Sequence, residues 1–163
     1  MEETDIQSII DRTSISDVVY RYATAVDTRD WALYKSCFTD IVEIDFSSWN
    51  PDVKATLPSD QWAQMVKAGI SGFETTQHTS SNHVHTIHGD RAICVSYMQA
   101  DHFLRTDDGM KECTLGGYYT NELVRTDDGW KISRCTLTVT WSRGDYGIFE
   151  LAATRYAATS EPH

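Results

Sequence analysis

The sequence predicts an α+β fold, a cone-shaped α+β barrel in which N-terminal helices pack in the concave face of a curved, mainly antiparallel β-sheet. Apolar residues recur at helical spacing in much of the first 70 residues, whereas from residue 76 onward β-branched and aromatic residues dominate. The pentapeptide Arg-Thr-Asp-Asp-Gly occurs at 105–109 and again at 125–129, and Asp-Gly is a strong hairpin signal. Helices followed by a long sheet indicate an α+β architecture with one open mouth, suited to a small molecule.

Three main helices and a short leading helix are predicted within the first 70 residues. The motif at 14–17 resembles a capping box, so we expect a break near Thr13 between a short leading helix and a main helix that ends at Asp27. Residues 30–38 read as a second helix, capped by Asp30 or Thr28. A third helix is expected over about 59–70.

The remaining segments alternate as strands do. Residues 41–46 predict a first strand, and 47–58 a loop that holds two of the three prolines. An antiparallel meander is expected from strands near 82–88, 91–105, 110–125 and 130–143. A final helix over 147–156 completes a single domain, residues 1–163, with a core of about 5–156 and a disordered tail at 157–163.

Composition limits the classes of function. The formal net charge of −10 argues against nucleic-acid or anionic-membrane binding, since both favour basic patches. No apolar run reaches the length of a membrane span, and the acidic N-terminus is unlike a signal peptide. The four cysteines are widely spaced, so we expect reduced packing residues in a cytoplasmic protein.

Asp27 is the most informative residue. It closes an apolar helical stretch at 18–26, where the partial negative charge of a helix C-terminus makes a carboxylate mildly unfavourable. The polar segment 77–83 supplies histidines that such a carboxylate could orient for proton transfer. The alternatives are that Asp27 caps the following helix or binds Arg29.

Several motifs together resemble a known family. Residues 20–31, Gln77-His78 with Asn82, residues 89–92 and residues 128–132 look like SnoaL-like proteins of the nuclear-transport-factor-2-like superfamily. Residues 116–122 resemble lindane dehydrochlorinase, and 110–112 after His102 resemble scytalone dehydratase. The likeness covers roughly residues 5–143. It implies the cone-shaped fold described above and a cofactor-independent enzyme.

The resemblance also implies catalytic roles. Asp27 would orient His78, which removes a proton, while Tyr22 matches a tyrosine of bile-acid dehydratases and His102 a second pocket histidine. The dehydrochlorinase has an arginine where this chain has Cys135, which makes loss of water or isomerisation more plausible than halide elimination. The candidate substrate-binding residues are Asn82, Met98, Tyr118, Trp141 and Trp49.

Spacing leaves alternatives for these residues. Tyr22 and Asp27 lie about 140° apart on an ideal helix, so Tyr22 is equally plausible as a core tyrosine. Only one of Asp101 and His102 can face the pocket, and His102 does if Met98 lines the interior. His83 and His85 share a strand face with His88 opposite, but the segment lacks further ligands, so no metal site is expected.

The leading hypothesis is a lyase (dehydratase) or isomerase that removes a proton alpha to a carbonyl of a hydrophobic, oxygenated ring compound such as a polyketide or steroid-like molecule. A polyketide cyclase using the same His–Asp pair is the second. A non-catalytic binding subunit, like the small subunit of ring-hydroxylating dioxygenases, is the third. The resemblance further implies a homodimer or homotrimer, with a small hydrophobic substrate and no cofactor.

Overall fold

The computed structural model describes residues 3–160, and their side chains from residue 6 onward. The helices and strands in chain order are α1 (Glu3–Thr28), α2 (Trp31–Ser36), β1 (Phe38–Asp45), β2 (Lys54–Pro58), α3 (Ser59–Ile70), β3 (Thr75–His88), β4 (Arg91–Thr106), β5 (Gly109–Thr126), β6 (Gly129–Gly144) and α4 (Ile148–Ser160). Among the described residues, no helix is long and apolar enough to cross a membrane.

A single curved sheet carries the strands in the order β2-β1-β6-β5-β4-β3. Only β1 and β6 run parallel, and every other neighbouring pair is antiparallel. The two predicted Asp-Gly turns join β4 to β5 and β5 to β6, with Gly109 at φ +114° and Gly129 at φ +94°. The α+β fold with a mainly antiparallel sheet is therefore confirmed.

Helix α1 packs across the inner face of the sheet and forms one wall of the core. Its inward side chains Ile15, Val18 and Ala25 are almost fully buried. They meet inward residues of the long strands, among them Leu123 and Ile132. Because side chains alternate along a strand, every second residue of β4 and β5 lines the interior of this cone.

The break expected near Thr13 is wrong, since α1 runs without interruption to Thr28. The buried face of the helix continues through Ile15, and its burial outweighs the local capping signal. The Ser16 hydroxyl contacts histidines of β3 instead. Helix α2 is capped as predicted: Asp30 accepts a hydrogen bond from the Leu33 backbone N–H at 2.9 Å.

Two strands and the tail also differ from the expectation. The predicted loop 47–58 contains the edge strand β2, which has only Leu57 buried and so lacks an alternating pattern. Strand β3 begins at Thr75 because its polar first half pairs fully with β4. Helix α4 continues to Ser160, so residues 157–160 are helical, while 161–163 lie outside the described residues.

Gly72 sets how closely α4 docks on the body of the domain. A Cβ atom at this position would lie 1.8 Å from the Ala152 carbonyl oxygen, a backbone atom that cannot rotate away. We expect Gly72→Ala to destabilise the fold by about 1–3 kcal/mol and to lower the melting temperature by roughly 2–10 °C. The matched control is Gly69→Ala, where nothing lies within 4 Å and a helical alanine should stabilise. Equal melting temperatures for the two variants would contradict this role of Gly72.

Candidate active site

The last turn of α1 and the polar half of β3 place Asp27 against His78. Asp27 Oδ1 lies 2.7 Å from His78 Nδ1, and Oδ2 accepts the His78 backbone N–H at 2.7 Å. The Thr76 hydroxyl donates to Oδ1 at 2.9 Å. A side chain, a backbone amide and a hydroxyl thus hold the carboxylate in one orientation, with the imidazole directly in front of it.

Neither alternative use of Asp27 occurs. Asp30, not Asp27, caps α2. Arg29 adopts a left-handed backbone with φ +60° and donates to the Val26 carbonyl at 2.7 Å and to Thr76 Oγ1 at 2.8 Å. Arg29 therefore supports Thr76, which in turn positions the carboxylate.

The charge of Asp27 is set by opposing effects. Burial alone would raise its pKa, but the hydrogen bonds from His78 and Thr76 and the attraction of the imidazole hold the pKa of the Asp27 carboxyl below its usual value. The ionised carboxylate accepts a hydrogen bond from the N–H group at His78 Nδ1. In the neutral imidazole this hydrogen bond leaves the lone pair on the opposite ring nitrogen, Nε2, which is the arrangement that a general base requires.

His78 opens onto an apolar cavity of about 200 Å³ inside the cone. The cavity lies between the inner face of the sheet and helices α1, α3 and α4. Its apolar walls include Val26, Phe46, Met65, Ile70, Leu115 and Leu137. Asp27 does not line the cavity, and its contact with the cavity wall is through His78.

His102 lies beside His78 on the inner face of β4, with the two ring centroids 5.5 Å apart. Met98 and Ala100 share this face, while Asp101 points outward and accepts from the Thr114 hydroxyl at 2.7 Å. His102 Nδ1 lies 3.2 Å from the Cys113 carbonyl and must donate to it, which leaves Nε2 as an acceptor. Burial first, and repulsion from His78 second, lower the pKa of His102 to about 4. His102 is therefore a neutral acceptor near pH 7.

The buried, neutral His102 makes stability depend on pH. Its pKa is about 4 in the folded state against an ordinary value of 6.5, so the unfolded chain binds the proton first as the pH falls. We expect His102 to remove about 3 kcal/mol of unfolding free energy between pH 6.5 and pH 4. Urea melts across this range should show a shallower loss for His102→Asn, whose amide can still donate to Cys113. The exposed His88→Asn is the control, and identical slopes for both variants would refute the assignment.

Tyr22 points into the cavity from α1, and its hydroxyl lies 3.4 Å from that of Tyr119 on β5. Burial raises the pKa of both phenols, which remain protonated and can donate a hydrogen bond. Tyr22 and His78 both line the cavity, whereas Asp27 contacts His78 without lining it, so the separation of Tyr22 and Asp27 by about 140° on the helix is compatible with roles for both.

Other polar groups around the cavity have no partner within the described part of the chain. They are the buried Nε1 atoms of Trp49 and Trp62, which line the cavity, and the hydroxyl of Tyr34, which packs on Tyr22. A buried donor without an acceptor costs about 1–3 kcal/mol. Both indole nitrogens are fully buried, so a molecule in the cavity could accept from them only after the rings move.

Two of the five candidate substrate-binding residues line the cavity, and three do not. Met98 and Trp49 line it. Leu115 and Tyr119 of β5 face inward, and side chains alternate along a strand, so Tyr118 lies on the outer face. The indole of Trp141 covers Gly116 and is 47% exposed, outside the cavity.

Asn82 is the third candidate that the structure places elsewhere. It is exposed at a bulge between Ser81 and Val84, where its own φ is +53°. Asparagine tolerates this left-handed conformation better than most residues, which explains its presence there without a ligand.

Tyr119, Phe149 and Thr76 also belong to the site and are not among the residues predicted from the sequence. Strand alternation could have identified Tyr119, since Leu123 and Leu115 share its face. Phe149 on α4 packs edge-on against His102 at 4.7 Å, a contact between distant elements that no local pattern signals. Thr76 reads as an ordinary strand threonine, and only its contact with Asp27 distinguishes it.

Comparison with known proteins gives several relatives. The chain is 30% identical to terrestric acid biosynthesis cluster protein E of Penicillium crustosum, over 87% of this chain and 91% of that one. It is 24% identical to the dehydratase AgnL8 of Paecilomyces divaricatus, over 82% of both chains. Identity to scytalone dehydratase of Pyricularia oryzae is 21%, over 92% of both. Dehydratases are thus among the relatives of this chain.

Solved structures agree with this relationship. The Kfla4162 protein of Kribbella flavida matches with a TM-score of 0.81 and 32% identity, over 89% of this chain and 98% of that one. The hexachlorocyclohexane dehydrochlorinase LinA-type3 of Novosphingobium barchaimii shares the fold, with a TM-score of 0.72 and 18% identity over 88% and 95%. The SnoaL-like domain family matches residues 7–136. The chain therefore belongs to the SnoaL-like family, whose members include dehydratases.

Proposed function

We propose that this protein is a cofactor-independent dehydratase that removes a proton alpha to a carbonyl and then expels a β-hydroxyl group as water. The observation that carries the proposal is the 2.7 Å contact between Asp27 and His78 at the wall of an apolar cavity. A carboxylate-oriented imidazole that faces such a cavity is suited to act as a general base. The dehydratases among the relatives support the same reaction class.

The first step is proton abstraction. His78 Nε2 takes the α-proton, the electrons of the C–H bond form a carbon–carbon double bond, and the carbonyl π electrons move to oxygen. The Asp27 carboxylate stabilises the imidazolium that results. Tyr22 or Tyr119 donates a hydrogen bond to the developing enolate oxygen, and the surrounding apolar wall strengthens this interaction.

The second step expels the hydroxyl group. The enolate electrons re-form the carbonyl, the α,β-double bond is made, and the β carbon–oxygen bond breaks. The imidazolium of His78 gives its proton to the departing oxygen, so the net change is loss of one water molecule and the base is restored. The neutral Nε2 of His102 accepts the β-hydroxyl hydrogen bond beforehand and positions the leaving group.

The cavity restricts the size of the substrate. An apolar cavity of about 150 Å³ accepts benzene, and this cavity has about 200 Å³. A substituted monocyclic or compact bicyclic ring fits, whereas a four-ring steroid would require the walls to open. We therefore favour a small polyketide-like hydroxy-ketone.

Cys135 bears on the choice of leaving group. It lies 1% exposed in the core, and burial raises the pKa of its thiol. A neutral thiol provides no positive charge for a departing chloride, which supports loss of water over halide elimination.

The test is product analysis with a panel of monocyclic and bicyclic β-hydroxy-ketones. The proposal expects a product lighter by one water molecule, with an enone absorbance that grows at a rate proportional to enzyme concentration. A rearranged carbon skeleton of unchanged mass would indicate an isomerase or a cyclase instead. Tight binding of the same compounds without turnover would favour a binding protein.

The expected self-association stays a prediction. Exposed apolar side chains lie on the first turns of α1, at Ile6 and Ile9, and on strands β3 and β4, at Val84, Ile93 and Tyr97. Burial of such side chains between copies would stabilise a homodimer or homotrimer.

A further inference from the structure

A second cluster of potential ligands lies away from the cavity, between the middle of α1 and strands β3 and β4. One ligand atom from each of His83, His85 and Cys94 lies within 4.8 Å of the other two. His85 and Cys94 are directly paired across β3 and β4. The bulge at Asn82 turns His83 to the same side, with its ring centroid 6.0 Å from that of His85.

Neighbouring side chains hold both imidazoles in place. Ser16 Oγ on α1 lies 2.9 Å from His85 Nε2 and 2.9 Å from His83 Nδ1. Ser80 Oγ lies 2.9 Å from the other ring nitrogen of His83, and Tyr20 stacks on that ring at 4.7 Å. When the ring nitrogens that face Ser16 bind a metal, Ser80 holds the second nitrogen of His83, as is common for metal-binding histidines. Ser16 then exchanges its two hydrogen bonds for a contact with the metal.

We propose that His83, His85 and Cys94 form a zinc site that ties α1 to the sheet, with the Ser16 oxygen beside it as the fourth ligand. Two imidazoles and a thiolate are among the ligands that Zn²⁺ prefers. Tetrahedral zinc places neighbouring ligand atoms roughly 3.4–3.6 Å apart, so these side chains must draw together by up to roughly 1.4 Å. The histidine-rich segment 77–88 does not contain all of these ligands, because Cys94 lies on the adjacent strand β4.

Zinc is bound by neutral imidazoles and by a cysteine thiolate, so the Cys94 thiol must lose its proton when the metal binds. Binding therefore forms a zinc–sulfur bond, breaks the S–H bond and releases about one proton to solvent.

The test is titration of the full-length, metal-free protein with Co²⁺ as a spectroscopic probe and with Zn²⁺ by calorimetry. Co²⁺ should produce a thiolate-to-cobalt charge-transfer band that Zn²⁺ abolishes. Calorimetry in buffers of different ionisation enthalpy should report release of about one proton per zinc. At a free Zn²⁺ concentration about one hundred times Kd, the melting temperature should rise by roughly 5–10 °C.

Substitutions identify which residues bind the metal. Cys94→Ser should abolish the cobalt band, and His85→Gln should weaken binding at least about tenfold. His88→Gln, at the exposed end of the same strand, and Cys113→Ser, buried on β5, should bind like the original protein. If Cys94→Ser does not fold, His85→Gln decides alone. Absence of the cobalt band in the original protein, or its persistence in His85→Gln with unchanged affinity, would overturn the proposal whatever the outcome of the dehydration assay.

Discussion

Replacement of His78 with glutamine should lower kcat for dehydration by about 10²–10⁴-fold, because it removes the general base. Glutamine keeps a polar group of similar size at the cavity wall, and its amide can still donate to Asp27. Ground-state binding of the substrate should therefore change little, and the loss should appear in kcat more than in KM. Steady-state kinetics on the best substrate of the panel would measure this division.

His88→Gln is the matched control, since the same substitution then falls on an exposed residue at the end of the same strand. It should leave both kinetic constants unchanged. Retention of more than about one tenth of the activity by His78→Gln would remove His78 from the role of base. His102 would then be the remaining imidazole at the cavity.

Replacement of Asp27 with asparagine should cost about 10²–10⁴ in kcat, although Asp27 does not line the cavity. The equivalent change from carboxylate to amide in a serine protease triad costs about 10⁴ by imposing the wrong histidine tautomer. An asparagine amide nitrogen facing Nδ1 would reverse the hydrogen bond and move the proton to Nε2. Long-range ¹H–¹⁵N spectra should show Nδ1–H in the native protein and Nε2–H in the variant.

Asp30→Asn is the control for Asp27→Asn. It lies three residues further along the chain and caps α2 without touching the dyad, and asparagine is an equally good cap. Activity and the His78 tautomer should both be preserved. Loss of activity in Asp27→Asn with an unchanged tautomer would mean that Asp27 serves the fold, not the orientation of the base.

The fold could be predicted largely from the sequence because its signals are local and repeated. The two Asp-Gly turns determine three long strands, and the alternation of β-branched residues gives the strands their extent. The continuous α1 and the edge strand β2 could not be predicted. Tertiary burial of Ile15 overrode a capping motif in the first case, and backbone pairing with β1 formed the strand in the second.

The site could be predicted from the sequence where a residue type is unusual for its position in a helix or strand. A carboxylate is unfavourable at a helix C-terminus, which distinguishes Asp27 in the sequence, and Asp27 contacts His78 in the structure. The aromatic character of Tyr118 and Trp141 does not reveal which face of the sheet they occupy, and both lie outside the cavity. Tyr119 and Phe149 line it instead, since strand register and the docking of α4 decide which rings face inward. Such contacts between distant elements are not encoded in any short segment.

Exchange of an α-proton with solvent reports whether the Asp27–His78 pair removes a proton from carbon. A bicyclic ketone without a β-hydroxyl group, such as α-tetralone, can be deprotonated but cannot lose water. Incubated in D₂O with the native protein, it should gain deuterium at the α-carbon at a rate proportional to enzyme concentration. The rate should fall to the uncatalysed value with His78→Gln and by at least about 10²-fold with Asp27→Asn. Saturable binding of the ketone without exchange, or equal exchange by the native protein and His78→Gln, would show that His78 is not the base.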